Sequence, residues 1–165
     1  MPARKRKAKN RLHVVPKKKG YSKEVMNGIR YAEKIKRFVT TNRYFRSVAS
    51  GEEVGTFVQE TLLPIIAKYE KGKPITAEEI AETRKRIKRF IAMKGEILLR
   101  DALAKAKKTR EMLQIKAVGI PSKRKQAYFI IERIDRFLEK VSRREAKLED
   151  AIRILNLCEK ADKIK

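Results

Sequence analysis

The sequence has little of what disulfide-linked proteins and metal-binding folds are built from. Its 165 residues include one cysteine, one histidine and no tryptophan. A lone cysteine can form neither an internal disulfide nor a multi-cysteine metal centre. Cys158 lies in an apolar helical pattern, which favours a small buried side chain over a reactive thiol. The cysteine content therefore excludes a disulfide scaffold and a zinc finger.

Glycine, proline and long apolar runs are also scarce. Seven glycines and five prolines stand beside 42% hydrophobic and 39% charged residues, a balance that favours long solvated helices over strands. No run approaches the roughly 18 uncharged apolar residues of a membrane span, and the basic start lacks the apolar segment of a signal peptide. We expect an all-α, soluble protein made inside the cell. Few Asn and Gln among many Lys, Arg, Glu and Ile favour a thermophilic source.

Acidic residues are too few to balance the basic ones. Lys and Arg number 44 against 20 Asp and Glu, which gives a formal net charge of +24, about three times what a small domain carries for solubility. Residues 1–50 hold sixteen of the basic residues and only two acids, Glu24 and Glu33. This excess predicts a polyanionic partner. At one phosphate charge per roughly 1.7 Å of duplex, it matches about a dozen base pairs.

The first 21 residues form a basic arm without acids or helical apolar periodicity, interrupted by Pro2, Pro16 and Gly20. Such a segment repels itself when free and is expected to be ordered only along a polyanion. Together with the first residue of the next helix, its candidate nucleic-acid contacts are Arg4, Lys5, Arg6, Lys7, Lys9, Arg11, Lys17, Lys18, Lys19 and Lys23.

A helix with two distinct faces is predicted to begin after Ser22, a suitable N-cap. One face is polar and basic, and it carries Lys23, Asn27, Arg30, Lys34, Arg37 and Thr41. The other is apolar, with Val25, Ile29, Ala32, Ile35 and Val39. We predict that the basic face contacts phosphates through Arg30, Lys34 and Arg37.

A break is predicted at 40–42, before an aromatic pair flanked by arginines. Arg43 and Arg46 are further candidate nucleic-acid contacts. Tyr44 and Phe45 either stack on bases or anchor the core, and the small number of aromatic residues favours the core. No pattern suggests that base edges are read, so we expect sequence-independent contacts with the backbone.

Residues 51–165 are predicted to form a bundle of about four helices. Ser50 with Glu53, and Thr76 with Glu79, read as capping boxes. Pro64 should kink or split the helix that follows the first box. Residues 77–117 form one helix of about 60 Å if it is unbroken, and Gly95 is its weakest point. A third capping-box pattern at 142–145 leaves open whether 123–162 is one helix or two.

Further basic runs at 84–89, 105–110 and 123–125 are read either as nucleic-acid contacts or as solvated helix faces. Catalytic groups are sparse. His13 lies in the basic arm, where positive charge disfavours its protonation, and the cluster Glu78, Glu79 and Glu82 reads as helix capping rather than a metal site. We expect no enzyme, metal, cofactor or small-molecule substrate.

The order of these parts resembles the major capsid proteins of filamentous and rod-shaped viruses of hyperthermophilic archaea. The division is a basic extended arm (1–21), a basic amphipathic helix and connector (22–50) and a helical bundle (51–165). The resemblance implies that the arm and first helix wrap double-stranded DNA in the A form. It also implies that the bundle stacks on itself, or on a paralogous capsid chain, in a helical filament within the virion.

Other classes of protein share these properties. An archaeal ribosomal or ribosome-associated protein, bound to RNA in the cytoplasm, combines basic arms with helices. A small helical subunit of an RNA-guided effector complex and a nucleoid protein are further alternatives. Polymerisation on nucleic acid distinguishes a coat protein from a ribosomal protein, which occupies a single site.

Overall fold

The computed structural model describes residues 20–164, and within this range the chain is helical without strands, as predicted. The helices are α1 (Lys23–Thr41), α2 (Arg43–Val48), α3 (Gly51–Phe57), α4 (Leu63–Glu70), α5 (Ala77–Gly119), α6 (Arg124–Ser142) and α7 (Leu148–Asp162). A π-helical segment, Val58–Leu62, joins α3 to α4, and a 3-10 turn, Pro121–Lys123, precedes α6. Because α3 and α4 are joined in this way, residues 51–164 form four rods, which confirms the expected bundle.

Side-chain caps fix where the first helices begin. The Ser22 hydroxyl accepts a hydrogen bond from the Val25 N–H at 3.2 Å. Capping boxes are present at Ser50 with Glu53 and at Thr76 with Glu79. These caps satisfy backbone N–H groups that have no partner within the helix, and all three are as the sequence predicts.

Pro64 changes the helix as predicted, through a π-helical turn. Proline donates no N–H, and its ring clashes with the carbonyl four residues earlier. The helix widens over Val58–Leu62, and the Leu63 N–H bonds to the carbonyl of Val58 five residues back. The helical chain therefore continues from α3 into α4 through this π-helical turn.

The long helix α5 runs through Gly95 without a break. Its 43 residues correspond to about 64 Å. A Cβ built on Gly95 would lie 3.6 Å from Leu148 Cδ1, in ordinary contact distance. Gly95 is buried under the start of α7, and this packing is what holds the helix together at its weakest residue.

The region 123–162 is two helices, but the cap is not the predicted one. Ser142 is the last residue of α6, and its hydroxyl donates to the Glu139 carbonyl at 2.7 Å. Arg144 takes the left-handed conformation with φ of 59°. The Glu145 N–H then bonds to the Lys140 carbonyl at 2.9 Å, which closes a Schellman turn. The serine pattern at 142–145 therefore marks the end of a helix, not a beginning.

Two apolar cores lie along α5. The first is formed by α1 to α4 and the N-terminal half of α5, and the second by its C-terminal half with α6 and α7. Leu148 packs against both. Since Ile29, Ala32 and Val39 of α1 are fully buried in the first core, α1 shares that core with the bundle.

A glycine lets α1 approach α5 closely. A Cβ on Gly28 would lie 2.6 Å from Ile80 Cγ2, well inside contact distance. Ile80 is itself only 1% exposed, so it has little room to move away. Gly28 thus fixes how deeply α1 is seated and, with it, the direction in which the opposite face of α1 points.

An ion pair between α3 and α5 should make stability depend on pH. The buried Lys94 ammonium donates to Glu53 Oε1. This bond, together with the Ser50 N–H, lowers the pKa of the Glu53 carboxyl from its ordinary value of 4.5. A lowered carboxyl pKa stabilises the fold above the unfolded-state value, and this stabilisation is lost as the pH falls through the folded-state value.

We expect Glu53→Gln to lower the melting temperature at neutral pH and to flatten its decline below pH 4.5. Thermal melts followed by circular dichroism between neutral pH and pH about 3 measure both effects. Glu52→Gln is the control, because Glu52 is exposed on the same turn and belongs to no ion pair among residues 20–164. Parallel pH profiles for the two variants would contradict the assignment.

Candidate nucleic-acid interface

The outer face of α1 is cationic, as the sequence predicts. All the polar residues assigned to this face are exposed, whereas Val25, Ile29, Ala32 and Val39 opposite are buried. Ile35 is half-buried. We call the four cations of this outer face of α1 the cationic face: Lys23, Arg30, Lys34 and Arg37. Their role as nucleic-acid contacts stays a prediction.

No carboxylate within residues 20–164 pairs with the cationic face. Many cations elsewhere do pair: Arg86 with Glu82, Arg100 with Glu96, and Arg143 with Glu139. The four side chains of the cationic face belong to no such ion pair in the described part of the chain. Their charge is therefore available to an external anion.

The basic run at 84–89 lies partly beside α1. The Arg84 guanidinium lies over the ring of Tyr31, 5.3 Å from the ring centroid, and so within the distance of about 6 Å that is typical of a cation–π pair. Lys88 and Tyr31 line one shallow hollow between α1, α5 and the start of α7. This contact was not predictable from the sequence, because Tyr31 and Arg84 are far apart along the chain.

The run at 105–110 contributes to packing between helices. Lys105 pairs with Asp162 at 2.7 Å, and Arg110 pairs with Asp135 at 2.5 Å. Lys107 and Lys108 are exposed and take part in no ion pair among the described residues. Half of this run therefore holds α6 and α7 against α5.

Arg43 and Arg46, both predicted contacts, have different surroundings. Arg43 pairs with Glu159 of α7, and this hydrogen bond raises the pKa of its guanidinium. It also lies over the Tyr44 ring, 4.7 Å from the centroid. Arg46 is exposed, and no acid among residues 20–164 pairs with it. Arg43 therefore joins α2 to α7, while the Arg46 charge is uncompensated.

The aromatic pair between the two arginines belongs mainly to the core. Phe45 is fully buried, with its ring centroid 5.3 Å from that of Phe38 and 5.9 Å from that of Phe90. The half-buried Tyr44 donates its hydroxyl proton to Asn156 Oδ1 at 2.9 Å. This confirms core anchoring for Phe45.

The groups considered for catalysis are used structurally where the structure describes them. Glu79 caps α5 and pairs with Lys68, and Glu82 pairs with Arg86. Cys158 is buried as predicted, and this burial raises the pKa of its thiol. Within residues 20–164, no three His, Cys, Asp or Glu side chains converge as metal ligands would.

The candidate contacts of the basic arm lie outside the described residues, as does His13. These contacts are Arg4, Lys5, Arg6, Lys7, Lys9, Arg11, Lys17, Lys18 and Lys19.

Comparison with known proteins identifies no relative of this chain. No family model, no curated protein and no solved structure matches it significantly. None of the helices between residues 20 and 164 combines the length and the apolar character that crossing a membrane requires.

Proposed function

We propose that this chain is a structural nucleic-acid-packaging protein, the major capsid protein of a filamentous or rod-shaped virus with double-stranded DNA. It holds the duplex without sequence specificity, in the A form that the family resemblance implies, and polymerises on it into a helical filament. Its place is then the virion.

The observation that carries the proposal is the uncompensated charge of α1. From Lys23 to Arg37 the cationic face extends about 21 Å along the helix, a length over which duplex nucleic acid presents about a dozen phosphate charges. Four cations at this spacing can follow a phosphate backbone. The acid-free arm directly precedes them in the sequence and adds nine more cations.

The chemistry of this face favours contacts with the backbone over the reading of bases. Lysine and arginine bind phosphate oxygens of any sequence, whereas base-specific contacts need side chains that match the edges of the bases in a groove. Tyr31, an aromatic residue of the same helix, is half-buried and covered by Arg84. A coat protein that covers a whole genome must bind DNA of any sequence.

Exposed apolar side chains near the turn between α5 and α6 support the self-association that the proposal requires. Ile115 and Val118 are 75% and 76% exposed, and Tyr128 and Phe129 are each 54% exposed. Ile115 and Val118 lie about one turn apart on α5, and Tyr128 and Phe129 are adjacent on α6; exposed apolar residues that lie next to each other are typical of protein contact surfaces. A neighbouring subunit in the filament would cover them.

Purified protein mixed with long duplex DNA should form regular filaments visible by electron microscopy. Circular dichroism of the complex should show A-form DNA, and the affinity should fall steeply with salt because many phosphates release counterions. Bovine serum albumin at the same concentration is a control for non-specific coating. Saturable binding to one folded RNA, with no filaments on duplex DNA, would contradict the proposal and favour the ribosomal alternative.

A further inference from the structure

A second basic surface lies in the C-terminal half, in the groove between α6 and α7. The groove is open to solvent and has a volume of about 450 Å³. Its apolar floor includes Phe137, Ile154 and Leu157. Five cations line it, Arg133, Arg136, Lys140, Arg153 and Lys160, against one carboxylate, that of Asp150. We call it the α6/α7 groove.

Three of these cations already have partners. Arg136 pairs with Glu132, Lys140 donates to Asp150 Oδ1 at 2.9 Å, and Arg133 lies over the Phe129 ring, 4.5 Å from its centroid. The Lys147 N–H also donates to Asp150, at 2.9 Å. The one carboxylate of the groove is thus occupied by Lys140 and by the cap of α7.

The remaining two cations are Arg153, whose charge favours the ionised form of the Asp150 carboxyl, and Lys160. Arg153 and Lys160 are exposed, and neither belongs to an ion pair among residues 20–164. Seven residues, or two turns, separate them, so both lie on the same side of α7, about 10 Å apart along its axis. This distance corresponds to about three nucleotides of one strand at 3.4 Å each.

The α6/α7 groove connects to the end of α1. Asn156 lines the groove, and its Oδ1 lies 3.4 Å from the Arg43 guanidinium and 2.9 Å from the Tyr44 hydroxyl. Arg43 follows α1 after a single residue. Arg43 and Asn156 therefore join the C-terminal end of α1 to the groove, with the Glu159 carboxylate bound to Arg43 at this junction.

We propose that the α6/α7 groove binds the phosphate backbone of the nucleic acid, with Arg153 and Lys160 as its direct contacts. The inference rests on the proposed function, and it extends the binding surface from the N-terminal part of the chain to the C-terminal helices. An extended anion fits better than a small one, because Arg153 and Lys160 are spaced along the groove and do not converge on a point.

The double variant Arg153→Gln/Lys160→Gln tests this site in the full chain. Both residues are exposed, so the helices should stay folded, and circular dichroism checks this. Binding to a short duplex is measured by fluorescence anisotropy over a series of salt concentrations. The salt slope is the steepness with which the logarithm of the binding constant falls as the logarithm of the salt concentration rises, and each lost phosphate contact lowers it by about 0.9. We therefore expect the slope to decrease by about 2 and the affinity to be at least about tenfold lower at about 0.1 M salt.

Lys71→Gln/Lys73→Gln is the matched control, because it removes the same charge from exposed positions just after α4, outside the groove and outside every predicted basic run. If both double variants bind alike, the groove is not a site, although the proposed function stands as long as the wild type binds. If the wild type binds no duplex, both proposals are wrong. Binding to vesicles of phosphatidylglycerol that depends on Arg153 and Lys160, without duplex binding, would also overturn the inference. It would indicate that the groove binds a membrane surface and not nucleic acid.

Discussion

Removal of residues 1–19 should lower the affinity for duplex DNA by more than about a thousandfold at about 0.1 M salt and leave the helices folded. The segment holds nine cations and no acid. If each contacts one phosphate, the salt slope decreases by about 8. The fold should persist because every buried apolar side chain of the described chain lies at or after Val25.

The deletion must end before Tyr21 to test binding alone. The Tyr21 hydroxyl donates to the Lys73 carbonyl at 2.6 Å, and its ring centroid lies 5.2 Å from that of Tyr69. Ser22 caps α1. A deletion that included these two residues would also loosen α1, and weaker binding would then have two causes.

A full-length variant with the nine arm cations replaced by Gln is the matched control for chain length. It should bind as weakly as the deletion, since charge and not length carries the effect. Anisotropy titrations against salt measure the affinity, and circular dichroism reports helix content. A deletion that binds as tightly as the wild type would remove the arm from the mechanism.

The features that were predictable from the sequence depend on residues close together in the chain. The caps at Ser22, Ser50 and Thr76 each join groups within three residues, and the two faces of α1 follow from the helical repeat alone. Pro64 acts on a carbonyl four residues away. In each case the physical cause lies within one or two turns, so the pattern and the structure agree.

The features that were not predictable depend on contacts between distant segments. Arg43 meets Glu159 across 116 positions, and nothing near Arg43 indicates this partner. Arg153 and Lys160 are recognisable as candidate phosphate contacts only in the structure, where α7 packs beside α6. The pattern of a single helix does not show which of its cations lack a carboxylate partner. The Ser142 pattern left open whether there is one helix or two, because serine and glutamate suit a cap, whereas the left-handed Arg144 ends α6.

Replacing three of the four cations of the cationic face should weaken duplex binding by on the order of a hundredfold at about 0.1 M salt and lower the salt slope by about 3. The variant is Arg30→Gln/Lys34→Gln/Arg37→Gln. Glutamine forms helices nearly as well as lysine and arginine, and all three positions are exposed, so α1 should stay seated on its core. The effect is large because three phosphate contacts are lost. No carboxylate of residues 20–164 loses a partner, since none forms an ion pair with these three cations.

The control removes three exposed cations outside the predicted basic runs: Lys71→Gln/Lys73→Gln/Lys163→Gln. Both triple variants have the same net charge, so a purely long-range attraction would lower their affinities equally, and such a result would argue against a site on α1. Local phosphate contacts predict instead a salt slope that falls for the α1 variant and stays near the wild-type value for the control. The same pair of variants tests filament formation. A coat protein that binds its genome along α1 should fail to assemble when the α1 cations are replaced, and should still assemble when the control cations are replaced.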